Sequence, residues 1–225
     1  MDARPPVALV HGFASSAEHN WAATGWLDLL AEAGREVIAV DMLGHGRAPR
    51  PTNPDAYQSV ESDVGEALRG RGRVDAIGFS AGAGVLLRLA VARPGQFRRL
   101  ALLGIGSGAL DPPSPAAIIT ALEGEPDPED TQGVVFRRLA DGLGNDRAAL
   151  AAFLRRRQAP LTTADLARIT CPVLVVLGDK DPAGPGDALV ATLEDARLVT
   201  LPGVDHFGTP SDVRCLQVVL GFVGE

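Results

Sequence analysis

The stretch RVDAIGFSAG, residues 73–82, decides the fold, because it joins a β-like run directly to a helix-like run. Its serine, Ser80, stands between Gly78 and Gly82 at the junction. A serine on such a tight strand-to-helix turn points its hydroxyl out of the sheet, and the crowded turn leaves no room for flanking side chains. The N–H groups at the start of the helix also stabilise developing negative charge. The stretch therefore predicts a nucleophilic serine.

Apolar runs like the one before Ser80 recur along the chain. They lie at residues 6–10, 36–41, 73–79, 99–104, 172–178 and 197–201. Each is continuous rather than alternating, which is typical of strands buried on both faces. Helix-like segments fall between them, at residues 20–33, 57–69, 82–92, 187–193 and 211–223. This alternation predicts an α/β fold with a mostly parallel sheet of about six strands wrapped by helices.

One region, residues 105–170, breaks the alternation because it has no convincing strand. Its predicted loops lie at 111–115 and 125–130, and its predicted helices at 131–143 and 146–158. A short third helix is predicted to begin at Thr162 or Thr163, either of which can act as an N-cap. The basic triplet 155–157 is predicted to be a solvated helix end. We expect residues 105–170 to be a helical cap inserted within a single domain, residues 1–225.

A serine hydroxyl needs a base within hydrogen-bond reach, and that base needs an orienting partner. The chain has four histidines, of which His206 directly follows the last predicted strand. Parallel sheets place their sites along the edge where the strands end, which is also where Ser80 lies. His206 is therefore the candidate general base. The acid is expected in the loop after the strand at 172–178, which offers two carboxylates, Asp179 and Asp181.

Two backbone N–H groups are candidates for holding a developing oxyanion. The triplet His11-Gly12-Phe13 follows the first strand, so the Phe13 N–H can supply one donor. The second donor is the N–H of Ala81, the residue after the serine. Only main-chain groups are needed, so the side chain of His11 is free to hold its loop in shape.

The candidate substrate-pocket residues lie in the loops at this same edge of the predicted sheet. They are His11, Gly12, His45, Phe79 and Phe207. His45 belongs to the segment 41–47, whose two glycines indicate a tight turn after the second strand. A structural role for His45 is the alternative to a place in the pocket.

Five of these segments, in this order, resemble the α/β-hydrolase superfamily, in its small branch of esterase-like and carbon–carbon-bond-hydrolase-like members. They are residues 11–13, 41–47, 78–82, 178–181 and 203–207. The resemblance implies that Ser80 is the nucleophile, Asp181 the acid and His206 the base. It also implies that Phe13 and Ala81 are the oxyanion donors and that the region after the fourth strand is the cap. The chain departs from the family in a short cap and in lacking counterparts of the first two strands.

Composition limits the classes of partner. The chain has 225 residues and a formal net charge of −7, which argues against general affinity for nucleic acid or anionic membranes. No Cys/His cluster or glycine-rich phosphate loop is visible, so we expect no metal or organic cofactor. Cys171 and Cys215 are expected to be unpaired thiols. Residues 1–6 carry no signal region and no apolar run is long enough to span a membrane. We therefore expect a cytoplasmic protein, a monomer or small homo-oligomer, that acts on a small-molecule substrate.

These residues together predict a serine hydrolase that cleaves a carboxylic ester or thioester through an acyl-enzyme on Ser80. A carbon–carbon bond hydrolase or lyase acting on a keto acid would use the same triad. A carboxylate-binding arginine would favour it, and the candidates are Arg47, Arg137 and Arg138. A non-catalytic ligand-binding protein that retains the fold is the third possibility.

Overall fold

The computed structural model describes residues 4–224, and within that range six strands form one sheet. They are β1 (Val7–Val10), β2 (Val37–Val40), β3 (Val74–Phe79), β4 (Phe97–Leu103), β5 (Val173–Gly178) and β6 (Ala196–Leu201). Every neighbouring pair is parallel, and the order is β2-β1-β3-β4-β5-β6. The predicted parallel sheet of six strands is therefore confirmed. The signal-region prediction falls partly on residues 1–3, which lie outside the described residues.

Nine α-helices occur within residues 4–224. They are α1 (Trp26–Glu32), α2 (Val60–Ala67), α3 (Ala81–Ala92), α4 (Ala116–Glu123), α5 (Thr131–Gly142), α6 (Arg147–Leu154), α7 (Thr163–Leu166), α8 (Asp187–Val190) and α9 (Val213–Gly224). Helices α1 and α9 pack on one face of the sheet, while α2, α3 and α8 pack on the other. Each strand in the middle of the sheet therefore has two buried faces, which explains the continuous apolar runs.

Four predicted helices are shorter or more broken than expected. The segment 20–33 divides at Gly25, whose φ of 83° is a left-handed conformation that no helix continues through. A π-helical turn, Glu18–Ala22, precedes that break. The segment 57–69 forms α2 only after a 3₁₀ turn, Pro54–Tyr57. The segments 187–193 and 146–158 end their helices early, at Val190 and Leu154.

Helices α4 to α7 all fall within residues 105–170. Helix α4, whose sequence is AAIITALE, lies in a part of the region for which no helix was predicted, because prolines flank it on both sides. The four helices bury Leu122, Ala140, Leu150 and Leu166 against the same core cluster that contains the end of β1. This helical region therefore lies on the face of the sheet that also carries α3.

A buried ion cluster ties the two ends of the described chain together. Asp75 on β3 has no exposed surface; it pairs with Arg35 and accepts from Nε and Nη2 of Arg98, at 2.9 and 2.6 Å. The same Arg35 donates to the carbonyl of Pro5 at 2.6 Å and to that of Val223 at 2.6 Å. The carboxylate of Asp75 is thus paired and hydrogen-bonded, as a buried charge requires.

The remaining structural expectations concern cysteines and membrane segments. Cys171 and Cys215 are both buried and free. Among residues 4–224, none of the helices combines the length and the apolar character that crossing a bilayer requires.

Candidate active site

Ser80 lies on a strained turn between β3 and α3. Its φ of 52° and ψ of −114° are sparsely populated for a non-glycine residue, and such strain concentrates at functional sites. Its N–H donates to the carbonyl of Leu103 at 2.8 Å. A Cβ atom at Gly82 would lie 2.2 Å from the carbonyl oxygen of Val10, and one at Gly78 would lie 2.8 Å from the backbone of α3. The two glycines are therefore required by backbone contact, as the sequence predicted.

His206 brings its imidazole to the serine from the loop after β6. The distance from His206 Nε2 to Ser80 Oγ is 2.9 Å. The imidazole stacks at a tilt on the ring of Phe79, with centroids 5.0 Å apart, and its side chain keeps 14% of its surface exposed. The imidazole is therefore packed on one face, within hydrogen-bond reach of the serine, and still partly accessible.

Asp181, in the loop after β5, completes a hydrogen-bonded chain with Ser80 and His206. Both of its carboxylate oxygens lie 2.9 Å from His206 Nδ1, and its side chain has no exposed surface. The N–H of Ala183 donates to the same carboxylate at 2.8 Å. A carboxylate only accepts, so Nδ1 carries the imidazole proton and Nε2 is left to accept from the serine hydroxyl.

The structure distinguishes between the two candidate acids, Asp181 and Asp179, by their contacts. The carboxylate of Asp179 is on an exposed residue and accepts from the N–H of Gly203 at 2.7 Å. It therefore closes the turn between β6 and His206. Asp181 contacts the imidazole, and Asp179 shapes the loop that carries it.

The loop after β1 carries Phe13 at its centre. The N–H of Gly12 donates to Asn20 Oδ1 at 2.8 Å, and the Gly12 carbonyl accepts from the N–H of Ser15 at 3.3 Å. Ala14 has a φ of 56°, so this loop also contains a strained residue. Among residues 4–224, Ala14 and Ser80 are the non-glycine residues with positive φ. Both predicted oxyanion donors adjoin strained backbone, since Ala81 directly follows the serine.

His11 is fully buried beneath this loop and both of its ring nitrogens have backbone partners. Nδ1 donates to the carbonyl of Gly12 at 2.7 Å, and Nε2 accepts from the N–H of Met42 at 3.0 Å. Burial lowers the pKa of His11, which keeps the ring neutral. His11 therefore links the loop after β1 to the loop after β2, which is the shape-holding role that the sequence allowed.

His45 also lies in the interior rather than at an accessible surface. It has no exposed area, and its Nδ1 donates to the carbonyl of Leu43 at 3.1 Å. Its ring contacts Phe153 edge-to-face, with centroids 4.9 Å apart. Burial, with a smaller contribution from His11, holds the pKa of His45 well below its usual range. This geometry favours the structural alternative for His45.

An aromatic series runs from the imidazole of His206 to the helical region. Phe207 is 46% exposed, and its ring lies 5.4 Å from that of His206 and 5.9 Å from that of Phe136 on α5. The ring of Phe136 lies 5.4 Å from that of Phe13. Gly12 packs so closely on Phe79 that a Cβ atom would lie 2.8 Å from the ring. Aromatic side chains therefore extend without a break from the imidazole of His206 to Phe13 in the loop after β1.

Two arginines of the helical region, Arg137 and Arg156, have specific partners. Arg137 donates to the carbonyls of Ala121 and Gly124 and lies 3.6 Å from Glu125, so it is committed to the helical region. In the basic triplet 155–157, which was predicted to be solvated, Arg155 and Arg157 are exposed but Arg156 is not. Its guanidinium lies 3.7 Å from the ring centroid of Phe153, and burial lowers its pKa to about 10.

Sequence reasoning missed one residue near the site, Asn145. It is 7% exposed, and its amide contacts backbone groups of both the loop after β1 and the loop after β2. No motif surrounds it. The local signal, Asn145-Asp146 before an apolar run, indicates only a helix start.

Comparison with known proteins agrees with the parallel α/β fold described above. The pattern of the alpha/beta hydrolase family matches residues 7–214. This chain belongs to the alpha/beta hydrolase family. The predicted membership of this superfamily is thereby confirmed.

Individual hydrolases show how broad that similarity is. The chain is 34% identical to a 2-hydroxymuconate semialdehyde hydrolase of Pseudomonas putida, over 63% of this chain and 48% of that protein. The match thus spans about half of that relative's length. It is 29% identical to a monoacylglycerol lipase of Mycolicibacterium smegmatis, over 99% of this chain and 89% of the lipase. An esterase from Exiguobacterium antarcticum shares the fold with a TM-score of 0.79 at 18% identity, covering 100% of this chain and 94% of the esterase.

Proposed function

We propose that this chain is a serine hydrolase that cleaves a carboxylic ester of a small molecule through an acyl-enzyme on Ser80. The observation that carries the proposal is the continuous chain of hydrogen bonds from Ser80 Oγ through the imidazole of His206 to the buried carboxylate of Asp181, at 2.9 Å for each step. A nucleophile, a base and an orienting acid in that arrangement perform acyl transfer on several unrelated folds.

In the proposed reaction, Ser80 Oγ attacks the carbonyl carbon while its proton passes to His206 Nε2. The negative charge that forms on the carbonyl oxygen is held by the N–H groups of Phe13 and Ala81. Removing one such donor typically costs about 10²- to 10³-fold in rate. The bond to the alcohol then breaks, and the alcohol leaves with the proton from His206. Water, deprotonated by the same imidazole, releases the acid and restores the serine.

The charge on Asp181 has two roles in this scheme. Because the carboxylate accepts from Nδ1, it fixes the tautomer in which Nε2 is the acceptor. It also stabilises the imidazolium that forms when the serine proton is transferred. Its burial keeps water from competing for the imidazole, and the Ala183 N–H holds the carboxylate in register.

Cleavage of a carbon–carbon bond in a keto acid is the second candidate, supported by the similarity to the 2-hydroxymuconate semialdehyde hydrolase. The lipase relative supports the ester candidate over nearly the whole chain. The engagement of Arg137 by carbonyls and Glu125 removes one of the three arginines that would bind the keto-acid carboxylate. We therefore place the ester first. We also propose that residues 105–170 act as the cap over the site.

The test is hydrolysis of p-nitrophenyl acetate and butyrate by the wild type, Ser80→Ala and His206→Ala. Both variants are expected to fall to the background rate. Ser107→Ala is the matched control, because Ser107 follows β4 at the same edge of the sheet and has no contact with His206 among the hydrogen bonds of residues 4–224. It is expected to retain wild-type turnover.

Labelling with a fluorophosphonate separates the remaining outcomes. If the wild type is labelled at Ser80 but hydrolyses neither ester, its nucleophile is reactive and the substrate class is wrong. Keto-acid cleavage is then tested next. A wild type that neither hydrolyses nor labels contradicts the proposal and favours a ligand-binding protein.

A further inference from the structure

Asn145, between α5 and α6, is a buried amide that contacts two loops far away in the sequence. Its Oδ1 accepts from the N–H of Gly46 at 3.0 Å, in the loop after β2. Its Nδ2 donates to the carbonyl of Ala14 at 2.9 Å and to that of Ser15 at 3.4 Å, in the loop after β1. The orientation of the amide follows from its partners, since an N–H only donates and a carbonyl only accepts.

The two carbonyls that Asn145 holds belong to a strained stretch of backbone. Ala14 is fully buried with a φ of 56°, a left-handed conformation that a residue with a Cβ atom adopts at a cost. Strained backbone persists only where its surroundings over-determine it. Asn145 supplies part of that restraint from outside the loop.

The restraint reaches the Phe13 N–H through one peptide plane. The carbonyl of Gly12 and the N–H of Phe13 belong to the same planar, trans peptide unit, so they point in opposite directions. The Gly12 carbonyl accepts from the Ser15 N–H at 3.3 Å. The same carbonyl also accepts from His11 Nδ1 at 2.7 Å, so the Ser15 N–H makes one of the two hydrogen bonds that orient it. A shift of Ser15 therefore loosens the orientation of the Gly12 carbonyl, and with it that of the Phe13 N–H.

We propose that Asn145 is a positioning residue: it holds Ala14 and Ser15 so that the Phe13 N–H points at the oxyanion. This inference rests on the proposed function, in which Phe13 is an oxyanion donor. Through Asn145, the helical region then contributes to the rate of acyl transfer as well as covering the site. A misdirected donor is lost mainly from the transition state, since the charge develops there.

The experiment compares Asn145→Ala with Asp146→Ala in ester hydrolysis. Asp146 is the N-cap of α6, and its carboxylate accepts from the N–H groups of Ala148 and Ala149 at 2.8 and 3.2 Å. Removing it weakens the same helix start without touching the loop after β1. We expect Asn145→Ala to lower kcat by about tenfold to hundredfold with KM unchanged, since a whole donor is worth about 10²- to 10³-fold. Asp146→Ala is expected to keep kcat at the wild-type value.

A second variant, Asn145→Asp, keeps the shape and the acceptor for Gly46 but removes the donor to Ala14 and Ser15. We expect it to lose as much kcat as Asn145→Ala, and it serves in its place if the alanine variant does not fold. Wild-type kcat in Asn145→Asp, or equal losses in Asn145→Ala and Asp146→Ala, would overturn the inference while leaving the proposed function intact. If the wild type has no hydrolytic activity that is lost on substitution of Ser80, both the inference about Asn145 and the proposed function are overturned.

Discussion

Replacing Asp181 by asparagine tests the hydrogen-bonded chain at a single atom. The carboxylate of Asp181 has two kinds of partner, the N–H of Ala183 at 2.8 Å and Nδ1 of His206 at 2.9 Å. In Asp181→Asn the amide oxygen must accept from Ala183, because that N–H only donates. The NH₂ group then takes the other position, 2.9 Å from Nδ1. Nδ1 then lies 2.9 Å from both the amide oxygen and the NH₂ group. A proton on Nδ1 would face the hydrogens of that NH₂ group, so the tautomer with the proton on Nε2 is favoured, and in that tautomer Nε2 cannot accept the proton of Ser80.

The size of the loss follows from two terms. In the reactive tautomer, the Nδ1–H of His206 faces the NH₂ group of the new asparagine, so a buried donor is left without an acceptor. Such an unsatisfied buried donor costs about 1–3 kcal/mol. The imidazolium also loses the attraction of a carboxylate, which is about 4 kcal/mol for unit charges about 4 Å apart at an effective dielectric constant of about 20. Together they amount to roughly 5–7 kcal/mol, and each tenfold in rate is about 1.4 kcal/mol. We expect kcat to fall by about 10⁴-fold.

The assay is steady-state hydrolysis of p-nitrophenyl butyrate, with Asp179→Asn as the matched control. Asp179 lies two residues away and accepts only from a backbone N–H, that of Gly203, among the hydrogen bonds of residues 4–224. Its asparagine variant can still accept that bond, so kcat should be unchanged. If Asp179→Asn loses activity and Asp181→Asn keeps it, the assignment of the acid and the tautomer argument are both wrong.

Three further predictions concern stability. Burial lowers the pKa of both His11 and His45, so the unfolded chain binds protons that the folded chain does not. The free energy of unfolding should then fall as the pH drops below about 6.5, by up to about 1.4 kcal/mol per pH unit for each histidine; equal urea midpoints at pH 5 and pH 7.5 would count against this. Gly82→Ala should leave little folded protein by circular dichroism, because its Cβ atom would lie 2.2 Å from the Val10 carbonyl oxygen, and a soluble variant with a wild-type melting temperature would contradict that contact. Asp75→Ala should cost about 3–5 kcal/mol in urea unfolding, since it leaves two guanidinium groups without their buried partner; a loss below about 1 kcal/mol would mean that water replaces the carboxylate.

The strands and the serine could be predicted because their causes are local. A strand such as β5, buried on both faces, reads as a continuous apolar run. The elbow at Ser80 needs glycines at fixed neighbouring positions, since backbone atoms of β1 and α3 fill the space around them. Such requirements are visible in a short window of sequence.

Other features depend on contacts between distant residues. The choice between Asp179 and Asp181 follows from which carboxylate faces the imidazole 25 residues further along the chain. The role of Asn145 depends on carbonyls 131 and 130 residues away, and a single asparagine before a helix carries no sign of them. Helix α1 begins only at Trp26 because Gly25 adopts a left-handed conformation, whereas the spacing of the preceding residues favoured a longer helix.

The guanidinium of Arg35 has a topological consequence. It binds the carbonyls of Pro5 and Val223 at once, so these two points of the backbone lie within one side chain of each other. A short peptide linker between them would bridge this gap without displacing β1 or α9. Residues 5–223 could then be circularly permuted, with the chain opened in an exposed turn such as the one at Gly70, and the order of the elements would change while the sheet and the serine elbow stayed in place.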